Sequence, residues 1–149
     1  MLENAEANEL NSIAEACKRI PRGVICLLSA LRFHELTTQS PFQVWVAIDV
    51  HARAPRTSDL HIRIVRFSGS SLGSYVQERN VEGVTVRVYS PAKTVADCFK
   101  FRKKVGMDVA IEALRDCLRQ RKATPSEIWE AAKICRVTSI IRPYLEALA

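Results

Sequence analysis

Apolar residues in the N-terminal segment recur every three or four positions. Leu10, Ile13 and Cys17 follow this spacing, which is typical of the apolar stripe of an amphipathic helix. Pro21 disfavours helical backbone at the residue before it. The pattern therefore predicts a first helix over about residues 3–19.

A second apolar run, GVICLLSALRF, begins at Gly23, and its first charged residue is Arg32. Because it is apolar on nearly all sides, it predicts a helix that passes through the core. After the turn-rich TTQSP comes FQVWVAIDV, which is rich in β-branched and aromatic residues. This composition predicts a strand over about 43–49 that is buried on both faces.

Alternation of apolar and polar residues predicts the remaining strands. In LHIRIVRFS, Ile62 and Ile64 are expected to face the core, while Arg63 and Arg66 are expected to share a basic, solvent-facing surface. Glu82-Gly83 predicts a hairpin turn, since glycine tolerates positive φ. Strands are thus expected at about 43–49, 60–67, 74–80 and 84–89, with the last three antiparallel.

Helix signals dominate from Ser90 onward. Ser90 is expected to be an N-cap with Pro91 at the first helical position, and this helix is expected to end near Gly106. Asp108 is expected to cap a following helix that runs to about Arg121.

Two further signals lie near the C-terminus. Thr124 and Glu127 are spaced as a capping box, and Pro143 is expected to interrupt a short last helix. The whole chain, 1–149, is predicted to be a single α+β domain, in which a small, mostly antiparallel sheet of about four strands packs with N-terminal and C-terminal helices.

Composition is that of an ordinary globular domain, with 48% hydrophobic and 26% charged residues. No apolar run is long enough to span a bilayer, and the acidic N-terminus lacks the features of a secretory signal. A cytoplasmic location is therefore expected. The five cysteines form no CxxC pair and the three histidines have no ligand spacing, so reduced thiols, no metal and no cofactor are expected. Nucleotide-binding glycine motifs are absent from the sequence.

The net charge of +6 is unevenly distributed. Clustered basic side chains bind phosphate backbones or acidic protein surfaces, or simply form a solvated face. The candidate nucleic-acid or partner-binding residues are Arg53, Arg56, Arg63, Arg66, Lys100, Arg102, Lys103 and Lys104.

Asp97 is a carboxylate among apolar residues, about two turns into the helix that begins after Ser90. A catalytic acid would need a second acid, a base or a metal ligand, and none is found at a suitable spacing. A structural role is expected instead, either in a surface ion pair with Lys93 or with donors from Arg32 or nearby loop amides.

Two other candidates for chemistry are weighed in the same way. Asp49 could be the first acid of a metal-dependent nuclease, but no later strand carries the acid and lysine that such a site requires. His34 is expected to satisfy the last carbonyls of its helix or fill the core.

Two segments carry a resemblance to a known family: RGVICLLSALRFHELT and VYSPAKTVADCF. The chain from about residue 20 to its end closely resembles the C-terminal domain of the AbiEi family, antitoxins and transcriptional regulators of type IV toxin–antitoxin systems linked to abortive infection of phage. The resemblance implies an N-terminal winged helix that binds operator DNA, and a nucleotidyltransferase-like toxin encoded next door. Residues 1–20 are expected to form one helix, without room for a winged helix. Glu35 stands where relatives tend to have glycine.

The resulting hypothesis is a non-enzymatic, antitoxin-like regulatory domain. Its expected partners are a nucleotidyltransferase-like toxin or a separate winged-helix regulator, with auxiliary binding to DNA. Two alternatives stay open: a stand-alone basic module that binds nucleic acid, and a nuclease or hydrolase that uses Asp97 or Asp49.

Overall fold

A computed structural model describes the backbone of residues 2–56 and 61–149, with side chains from residue 8 onward within these ranges. The strands are β1 (Val24–Ile25), β2 (Val44–Asp49), β3 (Ile62–Phe67), β4 (Val76–Val81) and β5 (Val84–Tyr89). The helices are α1 (Leu2–Arg19), α2 (Leu27–Phe33), α3 (Ser70–Gly73), α4 (Pro91–Lys100), α5 (Arg102–Val105), α6 (Met107–Arg119), α7 (Pro125–Cys135) and α8 (Thr138–Leu148).

The described residues form one mixed sheet of five strands in the order β3-β2-β1-β5-β4. β1 pairs antiparallel with β2 and parallel with β5. β2 and β3 are parallel, and β4 and β5 form an antiparallel hairpin. The α+β class is confirmed, whereas a sheet of about four mostly antiparallel strands was the wrong prediction.

The missed strand lies inside the apolar run that was expected to be entirely helical. Val24–Ile25 pairs with both β2 and β5, and only Leu27–Phe33 forms a helix. Gly23 allows this close approach, because a Cβ on Gly23 would lie 2.4 Å from Cγ1 of Val46. A run that is apolar on all sides fits a buried strand as well as a buried helix, so periodicity could not separate the two.

The pairing of β3 was also predicted incorrectly. β3 lies beside β2 at one edge of the sheet, while the β4–β5 hairpin forms the other edge. Alternation along a strand shows which residues share a face, but it does not show which strand is the neighbour. Leu60, which was included in the predicted strand, lies outside the described residues.

Helix boundaries in the C-terminal half agree with the sequence signals at some positions and differ at others. The helix predicted to reach Gly106 is broken at Phe101 into α4 and α5. Asp108 lies in the first turn of α6, whose N-cap is Gly106, so the predicted cap at Asp108 was wrong. Pro143 lies within α8 without ending it.

The sheet separates two apolar layers. On one face, Ile13 of α1 and Ile20, which follows this helix, pack against strand residues that include Val46 and Val88. On the other face, α2, α4 and α6–α8 enclose the larger core, which includes Trp45 of β2 and the buried apolar residues of these helices. No helix in the described part of the chain is long and apolar enough to cross a membrane.

Candidate functional site

The most concentrated polar group in the core lies in α4. Lys93 Nζ donates to Asp97 Oδ1 at 2.9 Å and to Oδ2 at 2.8 Å, and both side chains are 0% exposed. Their spacing of four residues places both on one face of the helix. Of the partners considered from sequence, Lys93 therefore pairs with Asp97, but in the core and not on the surface.

Further contacts surround both charges. Cys135 Sγ of α7 donates to Asp97 Oδ1 at 3.1 Å. Lys93 Nζ lies 3.9 Å from the ring centroid of Tyr89 and 4.8 Å from that of Phe67. Aromatic faces attract a cation, especially where water is excluded. The carboxylate thus gains a thiol donor in addition to the ammonium group, and the ammonium group gains two rings.

Burial sets the ionisation of this group. It raises the pKa of Asp97, a shift that the adjacent Lys93 ammonium opposes. Burial and the Asp97 charge also raise the pKa values of Cys26, Cys98 and Cys135. These cysteines stay as thiols at neutral pH, and thiols are poor nucleophiles. Solvent does not reach Lys93 or Asp97, so we interpret the pair as a structural element.

The start of α4 follows the sequence prediction. The Ser90 side chain accepts a hydrogen bond from the Lys93 amide at 3.2 Å, and Pro91 occupies the first turn. Ser90 is therefore the N-cap, which begins the helix so that Lys93 and Asp97 both point into the core.

His34 connects the end of α2 to the last residue of β5. Its Nε2 lies 2.7 Å from the carbonyl oxygen of Tyr89 and must donate, since a carbonyl only accepts. Burial lowers the pKa of His34, so the ring is neutral near pH 7. The His34 ring does not bond the last carbonyls of α2, one of the two roles expected from sequence. Its main-chain amide donates to the Ala30 carbonyl at 3.0 Å, and its main-chain carbonyl accepts from Lys122.

Arg63 and Arg66 do not share a surface, contrary to the sequence prediction. Residues three positions apart on a strand point to opposite faces. Arg63 lies on the face of Trp45, with its guanidinium carbon 4.3 Å from the Trp45 ring centroid. Arg66 lies on the other face and donates to the carbonyls of Asp49, Val50 and Ala52 at 3.3, 3.2 and 2.7 Å.

The remaining basic candidates differ in their contacts. Arg53 and Arg56 are exposed in the loop after β2. Arg102 donates to the Phe99 carbonyl at 3.0 Å, whereas Lys103 and Lys104 are exposed on α5. Lys100, also exposed, lies 5.9 Å from the Phe101 ring centroid. Of these remaining candidates, the exposed ones therefore lie in the β2–β3 loop and at the end of α4 with α5.

Asp49, the other acid considered from sequence, ends β2. Its Oδ1 accepts from the His51 amide at 2.7 Å, which stabilises the turn after the strand. Within residues 8–56 and 61–149, no three His, Cys, Asp or Glu side chains are grouped closely enough to hold a metal ion.

A groove of about 510 Å³ between α1 and the start of β2 was not anticipated from sequence. Phe42 is 80% exposed at its rim and its ring centroid is 4.6 Å from that of His61. Arg32 and Glu9 form an ion pair of 2.8 Å along the groove. Arg32 is therefore engaged with α1 and does not supply the donor to Asp97 that was considered from sequence.

The described residues thus combine a fully buried ion pair in the core with exposed arginines and lysines on the surface.

Comparison with protein-family models and with curated proteins found no match for this chain.

Proposed function

We propose that this chain is a non-enzymatic, antitoxin-like regulatory domain of a type IV toxin–antitoxin system that acts in phage abortive infection. In this proposal it works in the cytoplasm through contact with a nucleotidyltransferase-like toxin or a separate winged-helix regulator, with auxiliary contacts to DNA. The complete burial of Lys93 and Asp97 is the observation that carries the proposal. This pair lies within VYSPAKTVADCF, a segment that carries the resemblance to the AbiEi family.

Burial favours this proposal over hydrolysis for a simple physical reason. A general acid or base must come within hydrogen-bond reach of the substrate atom that it protonates or deprotonates. Asp97 has its oxygens occupied by Lys93 and Cys135 and has no exposed surface. Function is therefore expected on the surface of the domain, where binding to other macromolecules takes place.

Co-expression tests the protein-contact proposal. The neighbouring open reading frames are searched for a nucleotidyltransferase-like toxin, which is then expressed with and without this chain. We expect the toxin alone to stop growth and this chain to restore it, and we expect the chain to co-purify with the toxin or with a winged-helix regulator. Failure of both rescue and co-purification contradicts the proposal.

The second candidate is a stand-alone module that binds nucleic acid, which the exposed charges of Arg53 and Arg56 favour. Such binding should weaken with salt, because log K falls by about 0.9 for each phosphate contact per unit of log salt. Arg53→Glu with Arg56→Glu is compared with Lys103→Glu with Lys104→Glu, which makes the same change in net charge at α5. This candidate fails if duplex DNA binding is undetectable at moderate salt, or if neither variant weakens it.

The hydrolase alternative makes a different prediction for one substitution. If Asp97 were catalytic, Asp97→Asn would abolish a metal-stimulated activity while leaving the fold stable. We expect Asp97→Asn to lower the unfolding temperature, with no metal-stimulated cleavage of DNA by the native chain.

A further inference from the structure

β3 is an edge strand whose backbone bonds can be assigned residue by residue. The amide of Val44 donates to the carbonyl of His61 at 2.8 Å, and the amide of Val50 donates to the carbonyl of Phe67 at 2.9 Å. Together with the parallel register, these bonds show that the main-chain N–H and C=O groups of the odd-numbered residues of β3 point toward β2. Because main-chain groups alternate in direction along a strand, Ile62, Ile64 and Arg66 direct their N–H and C=O groups away from the sheet.

In the described part of the chain, no second strand covers these outward groups. Among residues 2–56 and 61–149, only β2 pairs with β3. No main-chain bond from another part of this described chain reaches the outward groups of Ile62, Ile64 or Arg66. Such an edge can bind an extended peptide, whose main chain then continues the ladder.

Positive charge lies on both sides of this edge. Arg63 and Arg66 lie on opposite faces of β3, with the guanidinium group of Arg63 over Trp45 of β2 and that of Arg66 at the end of β2, so each face of the sheet is positively charged near this edge. The loop with the exposed Arg53 is held beside the end of β3, because Arg66 donates to the Ala52 carbonyl at 2.7 Å. Arg56 follows in the same loop. These charges favour an incoming strand with acidic side chains on both faces.

The same charges disfavour pairing between two copies of this chain. Antiparallel pairing of two β3 strands would place arginines of one copy close to those of the other, and like charges across a strand pair are destabilising. The opposite edge differs, since β4 carries adjacent charges of opposite sign in Glu78 and Arg79.

We propose that the β3 edge binds an extended acidic segment of a partner protein by strand addition. This inference rests on the proposed function, since it supplies the surface through which a protein contact would be made. Main-chain hydrogen bonds from Ile62, Ile64 and Arg66 would provide affinity, and the flanking arginines would select acidic segments.

Peptide binding to the full chain tests the proposal directly. The probe is a capped, fluorescein-labelled peptide in which pairs of glutamate alternate with pairs of valine, so that both faces of its strand carry acids. Fluorescence anisotropy is measured at 0.15 M NaCl. We expect this peptide to bind at least about tenfold more tightly than a version with lysine for glutamate and a version with N-methylated amides. Equal binding of the N-methylated peptide overturns strand addition, and equal binding of the lysine peptide overturns the acidic selectivity.

A matched pair of variants locates the binding to this edge. Ile64→Pro removes an outward N–H without removing a bond to β2, and proline is tolerated at edge positions whose N–H faces solvent. Ile64→Val keeps the donor. We expect about tenfold weaker peptide binding for Ile64→Pro and native binding for Ile64→Val. Urea unfolding is measured for both, and if Ile64→Pro does not fold, the N-methylated peptide decides.

Charge variants and oligomeric state complete the test. Arg53→Glu with Arg56→Glu should weaken binding of the acidic peptide, while Lys103→Glu with Lys104→Glu should weaken it less. If sedimentation shows a dimer that Ile64→Pro dissociates, a second copy occupies the edge and the proposal is wrong. Toxin rescue separates the two proposals: rescue that is unaffected by Ile64→Pro removes only the edge proposal, whereas peptide binding without rescue removes only the antitoxin proposal.

Discussion

At the scale of single residues, the Lys93–Asp97 pair holds α4 in the core. Two charges at 0% exposure have lost their hydration, and their mutual attraction must offset that loss. The aromatic rings of Tyr89 and Phe67 beside Lys93, and the thiol of Cys135 beside Asp97, supply part of this compensation. The arrangement predicts a large difference between breaking the pair and replacing it.

Removal of one partner tests this prediction. We expect Asp97→Ala to lower the free energy of unfolding by about 3–5 kcal/mol, because the Lys93 ammonium stays buried without its counter-ion. Lys93→Met combined with Asp97→Leu should recover most of this loss. Urea unfolding gives both values, and Glu130→Ala, which breaks the exposed pair with Lys133, is the control with little expected effect. A double variant no more stable than Asp97→Ala would contradict the prediction.

Glu35 is a second residue with a testable effect on stability, because its backbone adopts a strained left-handed conformation. It follows α2 with a φ of 60°, in the left-handed region that glycine adopts without strain. Its side chain is exposed, and its carboxylate lies 4.0 Å from Lys122 Nζ. We expect Glu35→Gly to raise the free energy of unfolding by up to about 1 kcal/mol, and Glu35→Ala to bring no such gain. A loss of stability in the glycine variant, measured by urea unfolding, would show that the contact with Lys122 dominates.

At the scale of elements, the short strand β1 joins the two halves of the sheet. It pairs with β2 on one side and with β5 on the other, and Gly23 lies directly before it. A methyl group at Gly23 would lie 2.4 Å from Val46 Cγ1, which is too close unless the Val46 side chain or the Gly23 backbone shifts. Small additions to a packed core cost about 1–3 kcal/mol.

Substitution of this glycine tests the role of β1. We expect Gly23→Ala to destabilise the domain by about 1–3 kcal/mol or more. Gly73→Ala is the matched control, because an added Cβ there meets no atom within 4 Å, and its expected effect is small. Thermal unfolding compares the two variants. Equal effects would show that β1 can shift to accommodate the added methyl group.

Sequence predicted those elements whose signals are local. The limits of α1, the β4–β5 hairpin at Glu82-Gly83 and the capping box of Thr124 and Glu127 are found where the pattern placed them. β1 was missed because its two residues lie in an apolar run whose partners are distant in sequence. The parallel neighbour of β3 has no local signal for the same reason.

The candidate site was predictable to a similar extent. The spacing of Lys93 and Asp97 gave their pairing as one of the alternatives for Asp97, but its burial depends on rings and a thiol from other elements. The two faces of Arg63 and Arg66 follow from strict alternation, and the error came from grouping them by sequence proximity. The open edge of β3 required the order of the strands, which only the folded chain provides.

At the scale of the whole molecule, buried titratable groups set the pH range of stability. On the acid side, burial lowers the pKa of His34. In the unfolded chain His34 has a pKa of about 6.5, so below this pH it takes up a proton, whereas the folded chain takes up this proton only at lower pH. Stability from His34 is present above this pH and is lost as pH falls below it. Asp97 acts in the opposite sense, since its raised pKa makes the folded chain bind a proton more tightly as pH falls.

Above neutral pH, several buried thiols titrate together, so the free energy of unfolding is expected to fall more steeply with pH than it does on the acid side. Burial raises the pKa of Cys117 to about 11, and it also raises the pKa values of Cys26, Cys98 and Cys135. Above pH about 8.5 the unfolded chain loses these protons while the folded chain retains them, so stability falls by up to about 1.4 kcal/mol per pH unit for each thiol.

Urea unfolding between pH 5 and 10 measures how the free energy of unfolding changes on both sides of neutral pH. Comparison with His34→Gln gives the contribution of the histidine below pH about 6.5. We expect maximal stability between pH about 6.5 and 8.5. Cys98→Ala with Cys117→Ala should make the slope above this range shallower by removing two of the titrating groups. An alkaline slope that is unchanged in this double variant would show that groups other than the thiols control it. Reducing conditions in all samples keep oxidation of the unfolded chain from producing the same loss.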